Sequence, residues 1–140
     1  MFTKLPAAYF SGVKVKQFTT QKAVVTVPFK WFSQNPFRST YFACLAMAAE
    51  MSTGLIAMMQ IYKRTPAVSM LVVKLEANYF KKATGLTSFT CNAGKDFEQI
   101  VDACIEDGEA RSYTAKSIGT NSDGEIVAEF LITWSFKAKK

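Results

Sequence analysis

The sequence lacks histidine altogether and contains only three cysteines. Without an imidazole, neither a Ser-His-Asp triad nor a Cys-His pair is available to activate a nucleophile. Cys44, Cys91 and Cys104 lie far apart and lack metal-ligand spacing, so we expect reduced thiols and no metal site. The N-terminal residues show no long apolar stretch followed by a small-residue cleavage site. This pattern predicts no signal peptide and a cytoplasmic protein.

Charged residues are also scarce, at 20% of the 140 residues against 49% hydrophobic residues. This composition predicts one globular domain over residues 1–140 with a substantial core. Twelve phenylalanines favour either a thick core or a pocket with apolar walls. The net charge of +6 suits a small ligand that carries phosphates, or contributes only to solubility. Nucleic acid is not an expected partner, because no basic run alternates with aromatic residues on one recognisable face.

The longest apolar stretch is residues 35–59, NPFRSTYFACLAMAAEMSTGLIAMM, which begins with a turn-forming Asn-Pro pair. Ser39 or Thr40 is expected to cap a helix that runs to about Gln60. Residues 41–59 have the length of a membrane span. However, Glu50 and the polar or small residues 52–54 interrupt the stretch, which favours a buried core helix and no membrane span. An ionised acid in such a helix is costly to bury without a partner, so Glu50 is expected to have a specific role.

The rest of the chain alternates between apolar and polar residues in a way that predicts strands. A short helical segment is expected over residues 3–9, and a second helix over residues 95–107, ended by Gly108. The expected strands cover residues 13–18, 23–29, 68–80, 86–93, 109–119 and 125–137. The last two are expected to form a hairpin across residues 121–124, whose Asp-Gly pair is a strong turn signal. One face of the last strand is expected to carry Ile126, Ala128, Phe130, Ile132, Trp134 and Phe136. In the third strand, the more apolar face is expected to carry Leu71, Val73, Leu75, Ala77 and Tyr79. Short hairpin connections make the sheet antiparallel, and the fold class is α+β.

This element order, with an Asn-led turn into a buried helix that carries one acid, resembles the hotdog fold of acyl-CoA thioesterases. The sequence is most similar to the branch related to phenylacetyl-CoA (PaaI-like) thioesterases, whose motif has an Asn, a Gly-Thr, a His and, nine positions later, an acid. Asn35 matches the motif Asn and Glu50 the acid, while Tyr41 replaces the His and Arg38-Ser39 replaces Gly-Thr. The segment KLEANYFKKATG also resembles the family's central strand and glycine turn.

The resemblance implies an antiparallel sheet wrapped around the long helix, and hydrolysis of fatty or aromatic acyl-CoA thioesters. Glu50 would act as general base or nucleophile, and Asn35 would orient water or the carbonyl. The backbone N–H groups of Phe42 and Ala43 would bind the oxyanion. Further residues would contact the substrate: Arg38, Tyr41, Leu45, Met47 and Met51. The resemblance also implies a homodimer or dimer of dimers, with no cofactor except coenzyme A as part of the substrate. The missing histidine argues against hotdog dehydratases and hydratases, which pair a His with an acid.

Plainer interpretations of the same residues remain open. Glu50 would bond a backbone group or a lysine and hold the core in register, and Asn35 before Pro36 would only form a turn. The methionines would fill the core. The alternative functions are a non-catalytic hotdog protein that binds acyl-CoA or lipid as a sensor or carrier, and a purely structural oligomeric partner.

Overall fold

The computed structural model describes residues 3–140, which form one six-stranded antiparallel sheet in the strand order β1-β2-β4-β5-β6-β3. The element order predicted from the sequence is confirmed, with an added 3₁₀ turn over Trp31–Ser33. The helices and strands are α1 (Pro6–Phe10), β1 (Lys14–Phe18), β2 (Ala23–Val27), α2 (Phe42–Ile61), β3 (Val68–Tyr79), β4 (Thr87–Cys91), α3 (Gly94–Asp107), β5 (Arg111–Thr120) and β6 (Ile126–Ala138).

Helix α2 lies against the sheet and contacts every strand as well as α3. By length and composition it is the one helix in residues 3–140 that is able to cross a membrane. Eleven of its twenty residues are nevertheless buried inside the protein. Two buried hydrogen bonds fix it to the sheet, from the Trp134 indole Nε1 to Thr53 Oγ1 at 2.8 Å and between Ser52 Oγ and Ser117 Oγ at 2.6 Å. This packing is that of a core helix.

Strand β6 carries a buried apolar face. Its predicted alternation is confirmed by five residues of one face, which are all buried, whereas Ile126 at the start of the strand is exposed. Those five are Ala128, Phe130, Ile132, Trp134 and Phe136. The predicted ends of α3 and of the last hairpin are also confirmed, because Gly108 and Gly124 have positive φ angles of 73° and 81°.

The face predicted for β3 is confirmed for Leu75, Ala77 and Tyr79 but wrong for Leu71 and Val73, because the strand contains a bulge at Val73. Val72 pairs with Trp134 and Lys74 pairs with Thr133, although these two β6 residues are adjacent. Val73 is therefore an extra residue in β3 without a partner in β6. Residues directly opposite each other on paired strands share a face, and a one-residue insertion therefore exchanges the two faces. The core-side face carries Val68, Met70 and Val72 before the bulge, and Leu75, Ala77 and Tyr79 after it.

Candidate active site

The loop over residues 35–41 is organised by the side chain of Asn35. Its Oδ1 accepts hydrogen bonds from the N–H groups of Phe37 and Ser39, at 2.9 and 3.2 Å, and from Ser39 Oγ at 3.2 Å. Its Nδ2 donates one long bond of 3.5 Å to the Thr40 carbonyl. This pattern is an Asx turn that closes the loop on itself. The Asn35 oxygen is therefore engaged within the loop, and only the amide N–H₂ group has donor capacity left.

Arg38 occupies the left-handed region of the backbone, with a φ of 60°, and its side chain is exposed. A residue with a Cβ is strained in this conformation, which glycine adopts without cost. This is the position at which the motif of the resembling thioesterases has its glycine. The loop therefore has a left-handed position that presents a cationic side chain to solvent.

The predicted cap of α2 is wrong. The N-cap residue is Tyr41, and no side chain in residues 3–140 bonds to the helix start. The expected caps have other partners, since Ser39 Oγ donates to Asn35 and Thr40 Oγ1 donates to the Ala83 carbonyl at 3.1 Å. The first two N–H groups of the helix belong to Phe42 and Ala43. The first N–H group that bonds the Tyr41 carbonyl is that of Cys44.

A cavity of about 560 Å³, here called the entrance cavity, opens in front of this helix start. The described loop forms one side and the residues that follow β3 form the other. Its walls are Asn35, Pro36, Phe37, Ser39, Thr40, Tyr41, Phe42, Leu45, Tyr79, Phe80, Lys81, Lys82 and Ala83. Four of the residues predicted for the site therefore line this cavity. They are Asn35, the substrate contacts Tyr41 and Leu45, and the oxyanion donor Phe42. Arg38, Ala43 and Met47 do not line it.

Two lysines at the rim of the entrance cavity were not among the predicted site residues. Lys81 is paired with Glu125, and Lys82 Nζ donates to the Phe37 carbonyl at 3.4 Å. The sequence signal for them was the adjacent Lys-Lys pair after the third strand. Such pairs usually belong to a solvated turn, so the pair did not by itself indicate a binding site. The fold brings this pair next to residues 35–42, because the Thr40 N–H bonds the Ala83 carbonyl at 2.8 Å.

Glu50 lies in a second cavity of about 360 Å³, here called the acid cavity. Its walls are mostly apolar: Lys4, Leu5, Val15, Glu50, Met51, Gly54, Leu55, Met58 and Trp134. The carboxyl is half-buried, and burial raises its pKa above the ordinary glutamate value. Within residues 3–140 its side chain makes no ion pair and no hydrogen bond. The interpretation of Glu50 as a structural partner of a lysine or backbone group is therefore not supported.

Gly54, one turn after Glu50, gives the acid cavity its shape. A Cβ at this position would lie 3.0 Å from Cζ2 of Trp134 and 3.7 Å from Oε1 of Glu50. The absence of a side chain lets the indole pack against the helix beside the carboxyl. Trp134 and Gly54 were not among the predicted site residues. The sequence signal for Gly54 was a glycine inside an otherwise helical pattern. Such a glycine often has a packing role, here the contact of another side chain with the helix.

One chain does not bring all the predicted groups to one point. Residues 42 and 50 are separated by about 12 Å along the helix axis. Met51 lines the acid cavity with Glu50, whereas Tyr41 and Leu45 line the entrance cavity, and Met47 is half-buried and lines neither. The three cysteines are buried and free, and no group of metal-binding side chains exists in residues 3–140.

Comparison with solved structures finds close matches to the whole fold. The first is a protein of unknown function and probable thioesterase, PA5026, from Pseudomonas aeruginosa, with a TM-score of 0.86 and 17% identity over 99% of this chain and 91% of that chain. A protein of unknown function from Chlorobaculum tepidum matches with a TM-score of 0.83 and 15% identity, over 99% of this chain and 90% of that chain. Thioesterase HI1161 from Haemophilus influenzae matches with a TM-score of 0.73 and 10% identity, over 94% of this chain and 82% of that chain.

These similarities confirm the hotdog fold predicted from the sequence, while the more specific PaaI-like branch stays a prediction. Comparison with curated proteins finds no match. A family model matches residues 1–136, nearly the full chain, and its description is a domain of unknown function, DUF4442. The chain therefore belongs to the DUF4442 family and has the hotdog fold.

Proposed function

We propose that this protein hydrolyses acyl-CoA thioesters, with Glu50 as the catalytic carboxylate. The observation that carries the proposal is a half-buried carboxyl that makes no ion pair or hydrogen bond within residues 3–140, inside a mostly apolar cavity. Burial raises the pKa of Glu50, which makes the carboxylate a better base at neutral pH as long as it stays ionised. Several structurally similar proteins are thioesterases, which agrees with this chemistry.

Two routes are open to the carboxylate. As a general base, Glu50 takes a proton from water, the hydroxide adds to the thioester carbonyl, and the C–S bond breaks to release the thiolate of coenzyme A, which is then protonated. As a nucleophile, Glu50 adds to the carbonyl itself, the same thiolate leaves, and water hydrolyses the resulting acyl anhydride. In both routes the oxyanion needs donors, and the N–H groups of Phe42 and Ala43 at the start of α2 are suited to that role.

The complete site requires two copies of the chain. Because the helix start and Glu50 of one chain are about 12 Å apart along α2, a single thioester carbonyl does not reach both. A homodimer that places the helix start of one protomer opposite the acid of its partner would solve this problem. Asn35 would then act mainly by holding the loop in shape, since its oxygen is already bonded within the loop.

Strand β3 is the surface that we expect at the dimer interface. It is a twelve-residue strand at the edge of the sheet, and it exposes Leu71, Val73 and Leu75 by 66%, 53% and 43%. Long apolar edge strands are rarely left open in native proteins, because their free backbone groups and side chains invite pairing. Pairing of β3 with β3 of a second copy would extend the sheet through a twofold axis. Two such dimers would also be able to form a tetramer.

The two cavities suit the two ends of an acyl-CoA. The entrance cavity has Lys81 and Lys82 at its rim and Arg38 nearby on the same loop, and these cations would bind the phosphates of coenzyme A. The acid cavity has apolar walls that include Met51, which would accept a fatty or aromatic acyl group. No cofactor beyond the coenzyme A of the substrate is required. The free, buried thiols suit the cytoplasm, where such thioesters would be met.

A non-catalytic binder of acyl-CoA or lipid is the second candidate. The observation in its favour is the engagement of Asn35 Oδ1 by three donors of its own loop, which removes one of the polar groups expected to orient water. Such a protein would bind acyl-CoA with saturation and release no free thiol.

The decisive experiment measures the release of free thiol from a panel of acyl-CoAs of different chain lengths, for the wild type and for Glu50→Gln. We expect Glu50→Gln to lower kcat by at least about 100-fold, because it removes the base or nucleophile. Glu129→Gln is the matched control, since Glu129 is a half-buried glutamate on β6 that lines neither cavity. Equal rates for wild type and Glu50→Gln would refute the assignment.

Two further measurements separate the alternatives. Calorimetry with acyl-CoA distinguishes a binder, which shows saturable heat without turnover, from an enzyme. Light scattering after size exclusion gives the oligomeric state, and Leu71→Lys is expected to shift it toward the monomer and to lower activity with it. Activity that survives in a monomeric variant would refute the composite site while leaving thioester hydrolysis intact.

A further inference from the structure

The charge of this protein is distributed unevenly along the chain. Residues 1–49 contain six of the seventeen basic residues and none of the eleven acidic ones. The other 91 residues hold eleven of each sign and are therefore neutral, so the whole net charge of +6 comes from the first third of the chain. Where the fold gathers several of these basic residues on one surface, they would produce a local positive potential that attracts a polyanionic partner.

The same segment exposes aromatic side chains that lie next to one another. Trp31 is 82% exposed and Phe32 is 53% exposed, in the 3₁₀ turn between β2 and α2. Phe32 contacts Phe10 of α1, with ring centroids 6.3 Å apart, and Tyr9 lies 5.4 Å from Phe10. Tyr9 and Phe10 are themselves about half exposed. Three aromatic rings from two separate segments thus form one surface, and Trp31 is the chain neighbour of one of them, Phe32.

Basic side chains lie within this aromatic surface. A depression of about 320 Å³ beside Tyr9 and Phe10 is also lined by Lys14 and Lys30, which are both exposed. Lys30 directly precedes Trp31. We call the surface formed by Tyr9, Phe10, Lys14, Lys30, Trp31 and Phe32 the aromatic-basic face. It is separate from the entrance and acid cavities, whose walls include none of these six residues.

We propose that the aromatic-basic face binds the surface of an anionic lipid bilayer. Trp and Tyr favour the boundary between headgroups and acyl chains, because their rings have an apolar body and a polar group. Lysines beside them add electrostatic attraction to anionic headgroups. A second copy of this chain is a poorer occupant, since stacking two such faces would bring positive charges together. The protein associates with the membrane peripherally through this face, and α2 stays in the core.

The test uses the full-length protein and vesicles made of phosphatidylcholine alone or mixed equally with phosphatidylglycerol. Trp31 and Trp134 are the two tryptophans, and Trp134 is only 6% exposed, so a change in accessible tryptophan reports on Trp31. We expect a blue shift of the emission and protection from acrylamide quenching with the anionic vesicles only. Sedimentation with the vesicles then gives the partition coefficient.

Two pairs of variants locate the binding surface. Lys14→Gln with Lys30→Gln is expected to lower the partition coefficient about 30-fold, because each basic residue near an anionic surface contributes about fivefold. The matched control, Lys95→Gln with Lys116→Gln, removes the same charge from exposed positions elsewhere and is expected to change it by less than about threefold. Trp31→Ser is expected to lower the partition coefficient about tenfold. The control is Tyr62→Ser, which changes an aromatic residue that is 68% exposed outside the face and is expected to leave the partition coefficient unchanged.

Several results would overturn the proposal. Equal losses in both lysine double variants would show attraction by net charge alone. Binding to phosphatidylcholine as tight as to the mixed vesicles would remove the electrostatic part. A change of oligomeric state in Trp31→Ser, measured by light scattering, would assign the face to contacts between copies of the chain. None of these outcomes depends on whether the protein hydrolyses thioesters.

Discussion

The buried hydroxyl pair of Ser52 and Ser117 gives a quantitative test of how α2 is fixed to the sheet. Both side chains are fully buried, and their oxygens are 2.6 Å apart. Ser52 Oγ also donates to the Ala49 carbonyl at 2.7 Å. Since a serine hydroxyl has only one proton, Ser117 is then the donor of the pair, and Ser52 accepts its proton.

The two single substitutions are therefore expected to differ. Ser117→Ala removes a donor and leaves Ser52 bonded to Ala49, so it should cost about 1 kcal/mol. Ser52→Ala leaves the buried Ser117 hydroxyl without an acceptor and should cost about 2 kcal/mol. The double variant leaves no orphaned hydroxyl, and alanine suits the helix better than serine, so it should cost about 1 kcal/mol and not the sum of about 3 kcal/mol.

The assay is urea unfolding of the four proteins by circular dichroism at one fixed protein concentration, because an oligomer's stability depends on concentration. The expected signature is a double variant that is more stable than Ser52→Ala alone. If the cost of the double variant equals the sum of the single costs, the two hydroxyls are energetically independent and the donor assignment is wrong. A double variant that loses activity while it keeps its stability would show that the pair also sets the orientation of Glu50.

Two other predictions concern the candidate site. Burial raises the pKa of Glu50 in the folded state, so folding holds that proton more tightly and stability falls as pH rises from the ordinary carboxyl pKa through the raised one. Glu50→Gln should therefore be more stable than the wild type at pH 7. Near pH 4, at about the pKa of a glutamate in the unfolded chain, the two proteins should be equally stable. Thermal melts that show the same difference in stability at both pH values would contradict this. Arg38→Gly should raise stability by about 1 kcal/mol, since it relieves a left-handed backbone, while it raises the KM for acyl-CoA if the guanidinium binds phosphate. An unchanged KM would leave Arg38 without a role in binding.

The sequence predicted most of the fold because the relevant signals are local. The apolar run of α2, the alternation along β6, and the glycines at 108 and 124 each depend on residues within one element. The bulge at Val73 was missed, because it arises from the pairing of β3 with β6 and not from the composition of either strand.

The candidate site was harder to predict for the same reason. The position of Glu50 in an open cavity follows from its helix, and the helix was predicted. The wall opposite Glu50 is Trp134, more than eighty residues later, and the rim of the entrance cavity is formed by residues 79–83. The expected caps at Ser39 and Thr40 were wrong because partners outside the helix competed for their hydroxyls.

The contact between Trp134 and Gly54 couples the shape of the acid cavity to the packing of the helix that carries Glu50. The carboxyl is carried by a helix, whereas the floor beside it is an indole that belongs to a strand and is held by its own bond to Thr53. A smaller side chain at position 134 would therefore enlarge the acid cavity and also remove one of the two buried hydrogen bonds that fix α2 to the sheet. The size of this cavity and the stability of the helix packing are therefore expected to change together.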